Sequence, residues 1–185
     1  MKAYDYLKTI IAELNDATSR IQEEGIEDLI SSIISSEKVF VSGAGRSGLM
    51  GKSFAMRLMH MGIYAYVTGE TVTPSFTEKD LLIVGTGSGK TESLLHMAEK
   101  AKDIGGTVAA VTVSPDSPIA EVSDHIVQLP GSPKDKAASD KQTIQPMGSL
   151  FEQTLLLFYD AAILRMMEMK GLNTQHMYGN HANLE

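Results

Sequence analysis

Two glycine-rich runs carry the residues best suited to chemistry. Gly43-Ala44-Gly45-Arg46-Ser47-Gly48 follows the apolar run Lys38 to Ser42 and fits G-x-G-x-x-G, while Gly85-Thr86-Gly87-Ser88-Gly89-Lys90-Thr91 follows Leu81 to Val84. A glycine loop that leads from a strand into a helix aims backbone N–H groups at an anion, and the helix N-terminus adds a favourable field. The first loop has two readings. Glu70 lies 22 residues after Gly48, at the end of the next strand, so the loop matches a dinucleotide fingerprint in which the acid holds a ribose hydroxyl. Ser47 and Arg46 favour a phosphate monoester instead, because a hydroxyl at a helix start and a nearby cation both bind one well. A bare tight turn would also ask for glycine.

The second run resembles a P-loop but fails on count. With Gly89-Lys90-Thr91 as the end of G-x-x-x-x-G-K-[ST], the first glycine falls on Val84, inside the strand. A cradle shortened in this way does not wrap a triphosphate. What remains is an anion nest of the hydroxyls of Thr86, Ser88 and Thr91 with the N–H groups of Gly89 and Lys90; helix capping by Ser or Thr is the plainer alternative.

The positioning elements follow from periodicity. Leu7, Ile10, Ile11, Leu14 and Ile21 mark an amphipathic helix, and Ile26, Leu29, Ile30, Ile33 and Ile34 a second. Strands are predicted at Lys38–Ser42, Ile63–Thr68, Leu81–Val84, Val108–Val113 and His125–Leu129. Helices are predicted over about 48–61, 90–104 and 150–170, the second of these closed by Gly105-Gly106. The segment from Pro115 to Val122 reads as a link, Pro130 to Pro146 as a polar functional loop or linker, and the tail after Gly171 as unpatterned. Alternation of strand and helix implies a parallel sheet covered on both faces. In the common 2-1-3-4-5 order both loops open on one crevice at the topological switch point, which a sugar phosphate fits. The expectation is one α/β domain over 1–185, with a helical extension over about 1–35 and a helix and tail over about 149–185.

Composition narrows the function. Of 185 residues 43% are hydrophobic and 21% charged, an ordinary globular balance, and 16 Lys and Arg against 23 Asp and Glu give a net charge of −7. That acidity argues against nucleic acid or an anionic membrane as partner. With no cysteine, disulfides, thiolate zinc sites and thiol nucleophiles are excluded. No run approaches a membrane span, and Asp5, Glu13 and Asp16 break any signal-peptide pattern, so a soluble cytoplasmic protein is expected.

Together the two loops resemble the SIS (sugar isomerase) domain family. The chain is further similar to the 6-phospho-3-hexuloisomerase family through Gly69-Glu-Thr-Val-Thr-Pro74, Gln145-Pro-Met-Gly-Ser-Leu-Phe-Glu-Gln153 and His181-Ala-Asn-Leu-Glu185. Thr86, Lys90 and Asn180 depart from the family pattern, where Ser, Glu and Arg are usual. The resemblance implies a five-stranded parallel sheet of flavodoxin-like type flanked by helices. It implies homo-oligomers, commonly tetramers, and conversion of D-arabino-hex-3-ulose 6-phosphate to fructose 6-phosphate, the second step of formaldehyde fixation by the ribulose monophosphate pathway. The alternatives are another SIS phosphosugar isomerase, a non-catalytic phosphosugar sensor and, from the first loop with Glu70, a nicotinamide oxidoreductase. The isomerisation needs no cofactor and no metal if hydrogen-bond donors stabilise the enediolate.

By resemblance Glu152 is the base and His181 moves protons between the substrate oxygens, with the tail folded over a site that a neighbouring subunit can own. Glu70 is the rival base. Gly45, Arg46, Ser47, Thr86, Ser88, Gly89, Lys90 and Thr91 complete the expected substrate and phosphate contacts. Ser149-Leu-Phe-Glu152 also matches S-x-x-E, a capping box that would by itself explain both residues. His60 and His96 read as surface or packing residues, His125 shows no evident partner, and His176 lies in the tail.

Overall fold

The computed structural model describes residues 2–131 and 143–184. Residues 132–142, which hold most of the polar segment between Pro130 and Pro146, lie outside them, as does Glu185 of the closing segment. Five parallel strands, β1 (Val39–Gly43), β2 (Ala65–Val67), β3 (Leu81–Thr86), β4 (Thr107–Thr112) and β5 (His125–Gln128), form one sheet in the order β2-β1-β3-β4-β5. β3 sits at the centre, and Leu81 to Thr86 are buried throughout. An unbroken Leu-Leu-Ile-Val run suits a strand covered on both faces.

The helices are α1 (Ala3–Thr18), α2 (Glu23–Ser35), α3 (Gly45–His60), α4 (Glu92–Ile104), α5 (Pro118–Glu121), α6 (Ser149–Lys170) and α7 (Thr174–Gly179). α2, α3 and α6 cover one face through Leu29, Ile33, Phe54, Leu58, Leu155 and Phe158. α4 and α5 cover the other through Leu94, Ala98, Ala101 and Ile119. On the first face Phe54 and Tyr159 stack at 4.2 Å with their planes 5° apart, which locks α3 to α6.

The expected elements form, with shifted ends and two additions. The link after β4 contains α5, started by Pro118 at its first turn. The tail contains α7, which composition hides because it is short and mostly polar; Asn173 starts it by accepting hydrogen bonds from the N–H groups of Gln175 and His176. β2 is shorter than Ile63–Thr68, and only partly buried as an edge strand.

The β1–α3 turn is closed by backbone approach. A Cβ on Gly48 would lie 2.5 Å from the Gly43 carbonyl oxygen, and one on Gly43 would lie 3.0 Å from Gly48. Gly45 between them has φ +57°, in the left-handed region. The same three glycines that satisfy the phosphate-loop pattern are therefore required to let the helix start against the strand. Gly48→Ala should lower stability by about 1–3 kcal/mol, the range for overpacking a tight contact; urea unfolding checks this, and an unchanged midpoint would refute the close-approach reading.

Candidate functional site

The crevice follows from the direction each crossover takes. β1 leads through α3 on one face to β2, and β3 leads through α4 on the opposite face to β4. The two chains part at the carboxyl ends of neighbouring strands, where Gly43 pairs in register with Gly85. Both glycine loops therefore border one gap, as the strand order leads one to expect.

In the second loop the hydroxyls organise the backbone. The Gly89 N–H donates to Thr86 Oγ1 at 3.2 Å and the Lys90 N–H to Ser88 Oγ at 3.3 Å. The expectation that these two N–H groups face an anion is thus corrected: they are spent within the loop. Thr86 and Ser88, having accepted, keep their O–H hydrogens to donate. At the start of α4 the Leu94 N–H already donates to the Thr91 carbonyl at 3.0 Å, which leaves the Glu92 and Ser93 N–H groups without an intrahelical acceptor, and Thr91, the N-cap, makes no side-chain capping bond. Gly89 has φ +64°, and a Cβ there would run into Ser117. Ser117 is buried, and its Oγ has no hydrogen-bond partner. Lys90 points to solvent.

Across the gap, Ser47 is buried in the first turn of α3, while Arg46 reaches over to α6. Arg46 Nη1 donates to Glu152 Oε2 at 3.2 Å and to Ser149 Oγ at 3.0 Å. The capping box does not form. Gly148 is the N-cap, without a side-chain capping bond, and both members of the S-x-x-E pair turn to Arg46. Glu152 is only 5% exposed, whereas the Arg46 side chain is 45% exposed. Burying a carboxylate without a partner is costly, and Arg46, from the first glycine loop, supplies the partner.

What fixes the start of α6 escaped the sequence reading. Glu13, on α1, accepts hydrogen bonds from Thr143 Oγ1 at 2.6 Å, the Ile144 N–H at 2.8 Å and Gln145 Nε2 at 2.9 Å. Gln145 Oε1 in turn accepts from Gln153 Nε2 at 2.7 Å. Nothing about Glu13 in the sequence separates it from any other acid on an amphipathic helix; Gln145 at least stands in a family-like segment. Burial alone would raise the Glu13 carboxyl, but the hydrogen bonds from Thr143, Gln145 and Ile144 outweigh it and hold the group below the usual carboxylate range. Tyr159, one face down α6, is wholly buried, with its phenol pushed up by desolvation and its hydroxyl unpartnered beside Gly85.

The other expected residues are dispersed. Glu70 is exposed and ion-paired with Lys52, bonded to neither loop. His125, expected to lack a partner, bonds Ser32 Oγ at 2.9 Å. His176 belongs to the Asn173 cap, and His96 is exposed on α4. His181 is not brought to Glu152 within one chain. It lies against His60 at the far end of α3, and the 14 residues from Arg46 to His60 amount to about 21 Å of helix.

The chain matches the SIS domain model over residues 32–163. It is 55% identical over 185 residues to a 3-hexulose-6-phosphate isomerase of Bacillus subtilis, covering 100% of both chains. Among solved structures, a hypothetical protein superposes with TM-score 0.90 at 37% identity, over 98% of this chain and 96% of that one. A Methanococcus jannaschii protein, for which a 3-hexulose-6-phosphate isomerase function was inferred, gives TM-score 0.81 at 35% identity over 100% of each.

The Glu13 cluster predicts a pH dependence. Its depressed carboxyl stabilises the fold above the unfolded value of 4.5, and that contribution is lost as pH falls through the lower folded value. Glu13→Gln should therefore cost stability at neutral pH and flatten the acid limb of stability against pH; equal acid limbs in variant and parent would remove the cluster's role.

Proposed function

This chain belongs to the SIS domain family, and we infer that it converts D-arabino-hex-3-ulose 6-phosphate to fructose 6-phosphate, the 3-hexulose-6-phosphate isomerase reaction of the ribulose monophosphate pathway. The observation that carries this reading is full-length similarity to a 3-hexulose-6-phosphate isomerase in a chain that also buries Glu152 beside the paired phosphate loops.

The phosphate sits at the start of α4, receiving its first-turn N–H groups and the hydroxyl hydrogens of Thr86, Ser88 and Thr91, with Ser47 and Gly45 closing the other side. Lys90 adds a positive charge at the rim. The 3-keto substrate is largely open-chain, since its terminal hydroxyl is esterified and the others would close only strained small rings on C3. No ring opening is needed in this direction.

Glu152 removes the C2 proton, giving a 2,3-enediolate, and returns a proton to C3. Arg46, already between Glu152 and Ser149, holds the carboxylate in place and sets positive charge beside the developing oxyanion. A proton must also pass from the C2 oxygen to the C3 oxygen, and His181 carries it. Within one chain His181 is too far from Glu152, so a second copy supplies it.

An exposed apolar stripe supports such assembly. Leu49, Met56 and Met59 on α3 and Leu157 and Leu164 on α6, two helices that pack together, are all more than a third exposed. The tetrameric state common in the family fits this face. Glu70 remains outside the chemistry, with its charge balanced by Lys52.

Fructose 6-phosphate incubated with the protein in D₂O, without added cofactor or metal, should gain deuterium at C3, read by NMR. Glu152→Gln should slow exchange by about 10²–10⁴-fold, the usual worth of a general base. Binding of the sugar phosphate without exchange at any carbon would instead identify a sensor, and exchange unaffected by Glu152→Gln would move the base elsewhere.

A further inference from the structure

At the end of the domain opposite the glycine loops, one buried histidine meets one exposed one. His60 closes α3 and is only 4% exposed. The His181 ring stacks on it with centroids 5.3 Å apart and planes 20° apart, and the Tyr178 ring lies 6.0 Å from that of His181. Asn180 Nδ2 donates to the His60 backbone carbonyl at 2.9 Å. That carbonyl belongs to the last turn of α3, where no intrahelical donor is available. Around these contacts runs a pocket of about 460 Å³, walled by Arg57 from α3, Asp160, Leu164 and Met167 from α6, and Met177 from α7.

We propose that His60 is the positioning residue for His181: the buried ring and its backbone carbonyl form the seat on which the C-terminal segment presents the His181 imidazole to a second copy's crevice. The proposal rests on the role given to His181 above.

Little else holds this segment. α7 has six residues, none buried, and among the described residues of the tail only Leu172 and Met177 pack partly against the core. A segment with so few buried contacts opens at low cost, so the His60 stack and the Asn180 bond make up a large share of its docking. The scaffold beneath is firm, because His60 is fixed on α3 next to fully buried Leu58.

The seat also responds to pH. Burial first, then the charges of Arg57 and His181, hold His60 below the ordinary histidine value of 6.5. Arg57 lies on the same helix with Nη1 3.3 Å from His60 Nδ1; Asp160 faces the pocket from α6, and Tyr178 and His181 face it from the tail. Asp160 is the one carboxylate lining the pocket among the described residues, and it is exposed, so solvent screens its help to a protonated His60. The sign follows: the part of this effect that comes from His181 exists only while the tail is docked, so docking favours neutral His60 and weakens as pH falls through the histidine range.

Hydrogen exchange over residues 174–184 reads docking directly, and isomerase kinetics read its consequence. In the parent protein, protection of 174–184 should fall between about pH 7 and 5.5 while β3 stays protected. His60→Phe keeps a ring but takes no proton, so its tail protection should stay level over that range. His60→Ala should lose tail protection at every pH and lose kcat by about tenfold or more, as for a displaced acid–base group, with KM little changed because the phosphate loops are untouched. Unaltered tail protection in His60→Ala, with β3 intact, would overturn the proposal. His181→Ala retaining full kcat would instead remove the catalytic reading of His181 and leave the docking result standing.

Discussion

A carboxylate that is almost fully buried cannot be left alone, and the architecture around Glu152 is arranged by that constraint. Removing the partner of a buried ion costs about 3–5 kcal/mol, less where one partner is half in water as Arg46 is. Arg46 can serve only because α3 starts where it does. That start requires Gly43 and Gly48 to touch backbone to backbone, with Gly45 in the left-handed region. On the other side Glu152 depends on the beginning of α6, which Glu13 ties down through Thr143, Ile144 and Gln145. One ion pair thus joins the β1 turn, the first helix and the long sixth helix into a single piece of machinery.

The two loops divide the remaining work. Thr86 and Ser88 take backbone N–H groups as acceptors, which shapes the loop and leaves each hydroxyl its hydrogen to donate. In the proposed reaction this end of the domain binds the phosphate and carries the base. The opposite end carries His181, two residues past a short helix that few contacts restrain, which suits the proton carrier between copies that we propose.

Much of this was legible in the sequence. The apolar runs Val39–Val41 and Leu81–Val84 and the glycines behind them specify strand, loop and helix with little ambiguity, and the sheet order follows from the alternation. Glu152 was legible through family likeness but ambiguous, since S-x-x-E is also a capping box; only tertiary geometry shows both side chains turned to Arg46. Glu13 was invisible, because a long-range bond to residues 143–145 leaves no local pattern. α7 was missed for a related reason: a six-residue helix started by an asparagine has too few apolar positions to show a period. His60 looked like packing and is packing, but its neighbour in the packing is His181.

The division of one active centre between two chains is tested most directly by complementation. Glu152→Gln and His181→Ala variants should each be nearly inactive alone. Co-expressed and purified as mixed oligomers, they should regain activity up to about a quarter of the parent, because some sites then pair an intact Glu152 with an intact His181 from the other copy. Mixed oligomers as inactive as either variant alone would contradict the shared site and confine the chemistry to residues of a single chain.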